Sequence, residues 1–339
     1  MTRSRSIPLL CLVLAAAAPR AQEEASTLAA LVARADAIAS VRILASQEAS
    51  GTVRVVRARV LGAWKGEPPA LLDLREPAQD GCGRALRGLL PGAGYLLFLE
   101  RFEGAWRPAQ GQARALEPLD AELLAHLKAL LQAEGTAART AVLAAGLGSG
   151  HARVRGDAAL ALAAMPMLDE HDPVLAGAVV AALGPSIDER SAAALPLLRL
   201  TQRLRSAPAI DVVLPRVLEG RAGPFAAVAL QTLAALPAEL VARRTAERMP
   251  ADGAGRRRAV EVLAMAPCRA TQETLLRLLR EVSLPGAERA AEVLLQMGVP
   301  AELVQAAAPQ GVAERARATQ ERPPRFRAIR PHDQPGRQP

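Results

Sequence analysis

Aromatic residues are scarce in this chain, and the shortage limits what its core can be. Of the 339 residues, 2% are aromatic and 50% are hydrophobic, with 2 Trp, 1 Tyr and 4 Phe. The core must therefore be built from Ala, Leu and Val. That composition fits helices in close contact and excludes a large all-β protein.

Lysine is almost absent, occurring only at Lys65 and Lys128, so nearly all of the positive charge is arginine. The formal net charge is +8 and the pI is near 10.6, values that invite a nucleic-acid partner. The arginines are, however, spread along the chain among glutamates, and the aromatic side chains on which bases stack are few. We predict no nucleic-acid partner.

Motifs for catalysis, cofactors or metals are also lacking. The sequence has no Gly-x-Ser-x-Gly, no His-Glu-x-x-His and no Cys/His spacing typical of zinc. Asp169–Asp172 is interpreted as a loop in which Asp172 caps the next helix. Gly146–Gly150 lacks the strand, lysine and spacing of a phosphate loop, and is predicted to join two helices. We predict a non-enzyme with no catalytic residue, no cofactor and no metal.

The first residues have the pattern of a cleaved signal peptide. Arg3 and Arg5 precede the apolar run Ile7–Ala18, and small residues allow cleavage after Ala18 or Ala21. The run is shorter than the ~20 residues that cross a bilayer, and no other segment approaches that length. We predict a mature chain without a membrane span, located outside the cytoplasm, either periplasmic or secreted.

Loss of that signal peptide removes Cys11 and leaves two cysteines, Cys82 and Cys268. An oxidising compartment permits a disulfide between them. The sequence does not fix the distance between their Cα atoms, so a disulfide and two free thiols both stay open.

The segment after the signal peptide is typical of a small β domain that follows one short helix, Thr27–Ala35. Alternating or β-prone runs are separated by turn residues, at Ala37–Ser46, Thr52–Leu61, Ala70–Arg75, Gly94–Glu100 and Ala105–Pro108. Both Trp, the Tyr and two of the Phe fall in this segment. Short strands at this density suit a small barrel or sandwich.

The C-terminal half repeats itself. The pentapeptide Pro-Ala-Glu-Leu-Val occurs at Pro237–Val241 and again, 63 residues on, at Pro300–Val304. Arg258–Leu263 returns after 31 residues as Arg289–Leu294. A period near 31 with helical patterning predicts a stacked array of helix pairs.

Proline positions give the predicted helix ends. The second helix of each pair is predicted to end before Pro166, Pro196, Pro237 and Pro267. The longest interval between them is ascribed to an extended stretch, Leu197–Pro208. Asp172-Pro173 is interpreted as an N-cap and first helical residue, and Ser186-x-x-Glu189 as a capping box.

One helical segment carries a family pattern. Val154-Arg155-Gly-Asp-Ala158-Ala-Leu-Ala161-Leu162 is similar to the second-helix pattern Val-Arg-x-x-Ala-x-x-Ala-Leu of HEAT-type repeats, with weaker copies at Ala226–Ala234, Arg258–Ala264 and Arg289–Leu295. The resemblance covers about half of the chain. It implies an armadillo-like α–α superhelix, a scaffold that binds partners along extended surfaces and serves unrelated roles.

The N-terminal part resembles bacterial domains related to tissue inhibitors of metalloproteinases and to netrin modules. The residues that carry the likeness are Ala35–Ala39, Val60–Gly66, Cys82-Gly83 and Pro91–Phe98. The resemblance implies an OB-type barrel. Animal inhibitors chelate the protease zinc with a Cys at the mature N-terminus. This chain has no such Cys, so inhibition by that route is not implied.

The predicted fold class is multidomain α+β, with a small OB-like β-barrel followed by a HEAT-like α–α superhelix. The predicted segments are a signal peptide (1–21), the β domain (27–117), a connecting helix (118–135), the helical repeats (136–310) and a disordered basic tail (311–339).

The leading functional hypothesis is a non-enzymatic, exported scaffold that binds an unidentified protein or peptide through the groove of the helical repeats. Arginines of the second helices, Arg155, Arg258 and Arg289, are the candidate contacts to an acidic partner. Trp64-Lys65 is interpreted either as a strand-end turn with Trp packed on the barrel or as part of a contact surface. The alternative function is a protease-inhibitor-like or ligand-binding module that acts through the barrel loops.

Overall fold

The computed structural model describes residues 27–50, 53–77, 86, 89–109, 116–169, 171–281, 286–308, 311–313 and 316. The predicted signal peptide and most of the predicted tail lie outside these residues. The chain divides into two compact units, Met1–Pro208 and Ala209–Pro339. The division falls within the segment predicted as helical repeats, so the β domain shares its unit with the helices that directly follow it.

The first unit begins with a short helix and a sheet. Helix α1 spans Leu28–Arg34. The described strands are β1 (Ala37–Ser50), β2 (Val53–Lys65), β3 (Leu71–Pro77), β4 (Gly94–Phe102), β5 (Ala105–Pro108) and β6 (Leu116–Pro118). They pair in the order β1-β2-β3-β5-β4, β4 also pairs with β1, and β6 is added to β4. All pairs are antiparallel except β3–β5. The sheet is therefore a nearly closed, barrel-like ring.

All of the predicted strands are confirmed, and β1 and β2 run further than predicted. Strand β6 is missing from the prediction. It has three residues, Leu116, Glu117 and Pro118, and Glu and Pro are depleted in strands. Its pairing with β4 is a tertiary contact that local sequence does not encode.

Alternation along the strands separates the interior of the barrel from its outer side. The buried interior is formed by Ala37, Ala39, Val41, Ile43, Val56, Ala58, Leu72, Leu74, Leu86, Leu89, Leu97 and Leu99. Ile38, Leu96 and Phe98 alternate with these residues and are also fully buried. Helix α1 packs beside β4, so this side of the sheet is covered. The outward residues of β1, β2 and β3 are exposed instead.

Five described helices follow the sheet in the first unit: α2 (Ala121–Gln132), α3 (Gly135–Gly146), α4 (Ala152–Ala164), α5 (Pro173–Asp188) and α6 (Ala194–Leu204). Helix α4 is central, because it packs against α1, α2, α3, α5 and α6. Asp172 caps α5 with Pro173 in the first turn, as predicted. Gly146–Gly150 joins α3 to α4, as predicted.

The capping box predicted at Ser186 and Glu189 is wrong. Ser186 is a fully buried residue inside α5, which continues through Pro185. Leu183 and Ile187 are buried one turn apart on the same helix. Burial of this stripe outweighs the backbone hydrogen bond that Pro185 removes.

The extended stretch predicted at Leu197–Pro208 is also wrong, because most of it is helix α6. Leu197, Leu200 and Leu204 are buried at helical spacing. Pro196 lies in the first turn of α6 rather than beyond a helix end. A proline is tolerated there because first-turn N–H groups have no partner within the helix.

The second unit is helical in its described part. Its helices are α7 (Ala209–Leu218), α8 (Ala226–Ala235), α9 (Ala238–Glu247), α10 (Gly253–Met265), α11 (Arg269–Leu279), α12 (Ala287–Gln296) and α13 (Ala301–Ala307), with a 3-10 turn, Gly223–Phe225, before α8. Each helix packs against the next and against the next but one. Helices α8, α10 and α12 therefore form one layer, and α7, α9, α11 and α13 form the other.

The repeated sequences adopt the same local structure in both copies. Pro237 precedes α9 and Pro300 precedes α13, and each is the N-cap of its helix. The valines that end the two pentapeptides, Val241 and Val304, are fully buried. The second repeated segment lies on α10 and on α12, and its last leucine is fully buried in both. Val312, beyond α13, is buried in the same cluster.

Candidate interaction surfaces

Lys65, at the end of β2, holds the C-terminal end of α1. Its Nζ donates hydrogen bonds to the carbonyl oxygens of Val32 at 2.9 Å and Ala33 at 3.4 Å. Carbonyls in the last turn of a helix lack intrahelical partners, and a cation there also interacts favourably with the helix dipole. The geometry of Lys65 therefore agrees with the strand-end interpretation.

This turn requires glycine at position 66, because a side chain there would clash with the backbone. The φ of Gly66 is +66°, and a Cβ at this position would lie 2.4 Å from the carbonyl oxygen of Asp36. The side chain of Trp64 is 36% exposed. Trp64 is thus partly packed and partly open to solvent, which leaves both of its interpretations standing.

Arg155 and Arg258, two predicted contact residues, are engaged inside the molecule. Arg155 Nη1 donates to the carbonyl oxygens of Ser149 and Gly150, both at 2.8 Å. Arg258 Nε donates at 2.8 Å to the carbonyl oxygen of Leu218, the last residue of α7. Both guanidinium groups complete turns or helix ends that have spare carbonyls.

Arg289, the third predicted contact residue, is more accessible, with 40% of its side chain exposed. It pairs with Glu261 of α10 at 3.4 Å and with Glu292 of its own helix at 3.1 Å. Arg258 and Arg289 lie on neighbouring helices of one layer, whereas Arg155 belongs to the first unit.

The two cysteines differ in what can be said of them. Cys268 precedes α11 as its N-cap and is half-buried. Its Sγ lies 3.4 Å from Oγ1 of Thr271. Cys82 lies outside the described residues, so the disulfide and free-thiol alternatives both stay open.

Glu122 joins α2 to the turn between α3 and α4. Its carboxylate accepts hydrogen bonds from Ser149 Oγ at 2.7 Å and from the backbone N–H of His151 at 3.0 Å. These hydrogen bonds hold the pKa of Glu122 below its usual value of 4.5. One turn further along α2, burial lowers the pKa of His126 below its usual value of 6.5.

An ionic cluster around the buried Asp157 joins α4 to β6 and α1, and the sequence patterns do not predict it. Arg153 Nε lies 2.7 Å from Asp157 and 3.3 Å from Glu117. Asp157 also accepts the backbone N–H of Leu28 at 3.1 Å. The i,i+4 spacing of Arg153 and Asp157 on one helix indicates that these two side chains can pair. The hydrogen bond to Leu28 joins residues 129 positions apart, so no local pattern indicates it.

An exposed face of the sheet is rich in arginine and leucine. This surface, here called the β1–β3 face, consists of Arg42 and Leu44 on β1, Arg57, Arg59 and Leu61 on β2, and Leu71, Asp73 and Arg75 on β3. Its single carboxylate, Asp73, is paired with Arg57 Nε at 2.8 Å, and that hydrogen bond lowers the pKa of Asp73. The four arginines of the face therefore outnumber its acid.

Two arginines of the β1–β3 face oppose each other. Arg42 lies directly across from Arg59 in the β1–β2 pair. Neither guanidinium has an ion pair or hydrogen bond to a described residue. Like charges directly opposite each other destabilise a sheet. The alternation of arginines with apolar residues along β2 is visible in the sequence. The position of Arg42 opposite Arg59 depends on the cross-strand register, which the sequence does not give.

Comparisons with known proteins add no family. No protein-family model, no curated protein and no solved structure gives a significant match to this chain. Over the described ranges, no group of three or more His, Cys, Asp or Glu is placed to hold a metal ion. Over the same ranges no single helix is long and apolar enough to cross a membrane. One bent pair, Gly223–Ala235 with Ala238–Glu247, meets the length and composition criteria only when taken together.

Proposed function

We propose that this chain is a non-enzymatic, exported scaffold that binds a protein or peptide partner along the helices of its second unit. The observation that carries the proposal is the packing of α7 to α13, in which each helix contacts the next and the next but one. Such packing leaves the outer side of each layer continuous over several helices, and extended surfaces of this kind are used to bind partners.

The same packing supports the resemblance to HEAT-type repeats and an α–α superhelix. The two copies of Arg-Ala-Val/Ala-Glu-Val-Leu fall on α10 and α12 of one layer, and the two copies of Pro-Ala-Glu-Leu-Val begin α9 and α13 of the other. Small residues at the contacts, Ala242, Ala259 and Ala290, are fully buried and permit close approach of the helices. In the first unit, the strand order with its single parallel pair, β3–β5, supports an OB-type barrel.

The proposed binding surface is the outer side of the layer formed by α8, α10 and α12. Helix α10 exposes Arg257 and Glu261 there, and Met265, at 43% exposure, ends the same row. Arg289 and Glu261 join α12 to α10 across this surface. Arginine and methionine are both enriched at the centres of protein interfaces.

The test uses the mature chain with a photo-crosslinking group, applied to an envelope extract. A double variant of the proposed surface, Arg257→Glu/Met265→Glu, is compared with a matched pair on the other layer, Arg243→Glu/Leu303→Glu. All four of these residues are exposed. We expect one crosslinked partner to be lost in the first variant and retained in the second. Equal recovery from both, or equal loss from both, would refute the surface.

The exported location rests on the sequence pattern of residues 1–21, which lie outside the described residues. Mass spectrometry of the protein recovered from the envelope should give a mature chain that begins after Ala18 or Ala21. An intact Met1 on that material would contradict export by this signal.

The barrel loops remain a second candidate because of one exposed aromatic residue. Phe102 is 45% exposed at the tip of the β4–β5 hairpin, and the guanidinium of Arg107 is stacked 3.8 Å from its ring centroid. The stacking orders an exposed apolar ring at a loop tip, and a side chain that is ordered before binding lowers the entropy cost of binding. A panel of envelope metalloproteases assayed with the parent and with Phe102→Ala tests this function. Inhibition that disappears in the variant would favour it over the helical surface.

A further inference from the structure

We infer that the β1–β3 face is a binding surface distinct from the helical one, and that it takes an extended, acidic segment of a partner protein. In that segment carboxylate and apolar side chains both face the sheet. Arg42, Arg57, Arg59 and Arg75 supply the charge, and Leu44, Leu61 and Leu71 supply the apolar contacts. The inference does not depend on the function proposed for the second unit.

Two of the four arginine charges on this face, those of Arg42 and Arg59, are not used by the fold, whereas Arg57 is paired with Asp73. Arg42 and Arg59 oppose each other without an ion pair or hydrogen bond to a described residue. Because such an opposition weakens the sheet, replacing one arginine by an acid is expected to stabilise the protein. Its presence is accounted for if an anionic ligand occupies the space between the two guanidinium groups.

The exposed leucines of the face indicate that the ligand is a polypeptide. Leu61 is 52% exposed and Leu71 is 54% exposed, and Leu71 is the direct cross-strand neighbour of Arg59. A polyanion without apolar groups would leave these side chains in water. The described part of the face presents no aromatic ring on which a nucleic-acid base would stack. Acidic and apolar side chains together satisfy both kinds of residue.

The spacing of the face indicates an extended conformation for the bound segment. Arg57 and Arg59 lie two positions apart on β2, so they are separated by about 6.8 Å, twice the ~3.4 Å rise of a strand. Leu61 follows them beyond an irregularity in the β1–β2 register. An extended segment presents its own alternate side chains at that same repeat. Arg42 on β1 and Leu71 on β3 lie on either side of Arg59, about 10 Å apart across the three strands.

The test measures binding of synthetic probes to the full mature chain by fluorescence anisotropy. The main probe is a labelled peptide of about ten residues, long enough to cross the face when extended. Ser occupies every second position, and the positions between are Glu and Leu in turn, so that Glu and Leu face the same side. Comparison probes replace Glu by Lys, or Leu by Ser. A single-stranded DNA oligonucleotide of equal charge is the nucleic-acid arm.

The decisive variant is Arg42→Glu, because it places a carboxylate opposite Arg59. We expect it to raise the melting temperature slightly while weakening the main probe about tenfold. A loss of affinity together with a gain of stability excludes damage to the fold. Arg243→Glu, the same change of charge on α9, should leave the affinity unchanged. Leu61→Ser/Leu71→Ser should weaken the main probe but not the probe that lacks Leu.

Several outcomes would overturn the inference. They are no measurable binding of the main probe, equal weakening by Arg42→Glu and Arg243→Glu, or unchanged affinity in a folded Arg42→Glu protein. DNA binding as tight as that of the main probe would instead assign the face to nucleic acid. Raised salt should weaken binding of the main probe, since the contacts are exposed charges.

Discussion

At the scale of single residues, several arginines perform the same task. Arg155, Arg203 and Arg258 each donate to backbone carbonyl oxygens that a helix end or turn leaves without a partner. The planar, multiply donating guanidinium suits this role better than an ammonium group. Some of the arginines therefore supply hydrogen bonds to backbone carbonyl oxygens at helix ends and turns. These arginines are not available to a ligand.

The turn at Gly66 gives a prediction about one glycine. Gly66→Ala combines a left-handed φ with a clash against the Asp36 carbonyl oxygen, and we expect it to destabilise the first unit by about 2–4 kcal/mol. Gly104→Ala is the matched control. Gly104 also has a positive φ, +79°, but a Cβ there would meet nothing within 4 Å, so we expect a cost of about 1 kcal/mol.

Thermal unfolding followed by Trp fluorescence checks this comparison, since both Trp lie in the first unit. Equal shifts in the two variants would show that the backbone conformation alone matters. The close approach at Gly66 would then carry no weight.

Local sequence predicts those residues whose partners are also local. Asp172 caps α5 because its acceptor oxygen reaches N–H groups two and three residues on. Ser186 shows the same cap signature and does not act as a cap, because burial of α5 against its neighbours decides where that helix ends. The site residues divide in the same way. Trp64 and Arg289 are found from motifs, whereas Asp157 and Arg42 depend on contacts that only the fold creates.

At the scale of elements, α2 should give the protein two separate pH-dependent losses of stability. His126 has a lowered pKa, so its contribution is complete above its unfolded value of 6.5 and is lost as pH falls from there through the folded pKa. Glu122 also has a lowered pKa, so its contribution is lost only as pH falls below its unfolded value of 4.5.

Urea unfolding of the parent, His126→Leu and Glu122→Gln at a series of pH values separates the two effects. We expect His126→Leu to remove the decline that begins near pH 6.5, and Glu122→Gln to reduce the one that begins near pH 4.5. If each variant kept the parent's full pH dependence, these two residues would not be the groups responsible.

A second prediction at this scale concerns α10. Leu263 is fully buried among α11 and α12, so Leu263→Arg places a charge in the contact between helices and should cost about 3–5 kcal/mol. Met265→Arg, two residues on, is the control because its side chain is 43% exposed. Helical circular dichroism on heating measures both. A Leu263→Arg protein that melts like the Met265→Arg protein would contradict the packing of this layer.

At the scale of the whole chain, the structure divides into two compact units, Met1–Pro208 and Ala209–Pro339. The sequence pattern puts a boundary near Glu117, where strands give way to helices. Composition reveals that change of secondary structure, but it does not reveal that α1 is held by α4 through Asp157. Periodicity identifies elements, whereas the grouping of elements depends on long-range contacts.

This grouping predicts how fragments behave. A fragment that begins at Ala21 and ends at Pro208 should unfold cooperatively and give a mixed far-ultraviolet spectrum. A fragment from Ala21 to Glu117 retains the strands except for Pro118 of β6, but it loses α2 and α4. Helix α1 then loses its contacts with both helices, so the fragment should unfold at lower temperature or aggregate. Similar melting of both fragments would mean that the sheet is an independent domain.

The hydrogen bond from Leu28 to Asp157 also bears on the order of events during synthesis. The acceptor of the Leu28 N–H group, Asp157, is synthesised 129 residues after Leu28. At ordinary rates of translation this delay is about ten seconds. For a chain exported as proposed, α1 therefore lacks this contact with α4 while translocation begins. A seven-residue helix without its packing partner is only marginally stable, and a chain in that state suits passage through a secretory channel.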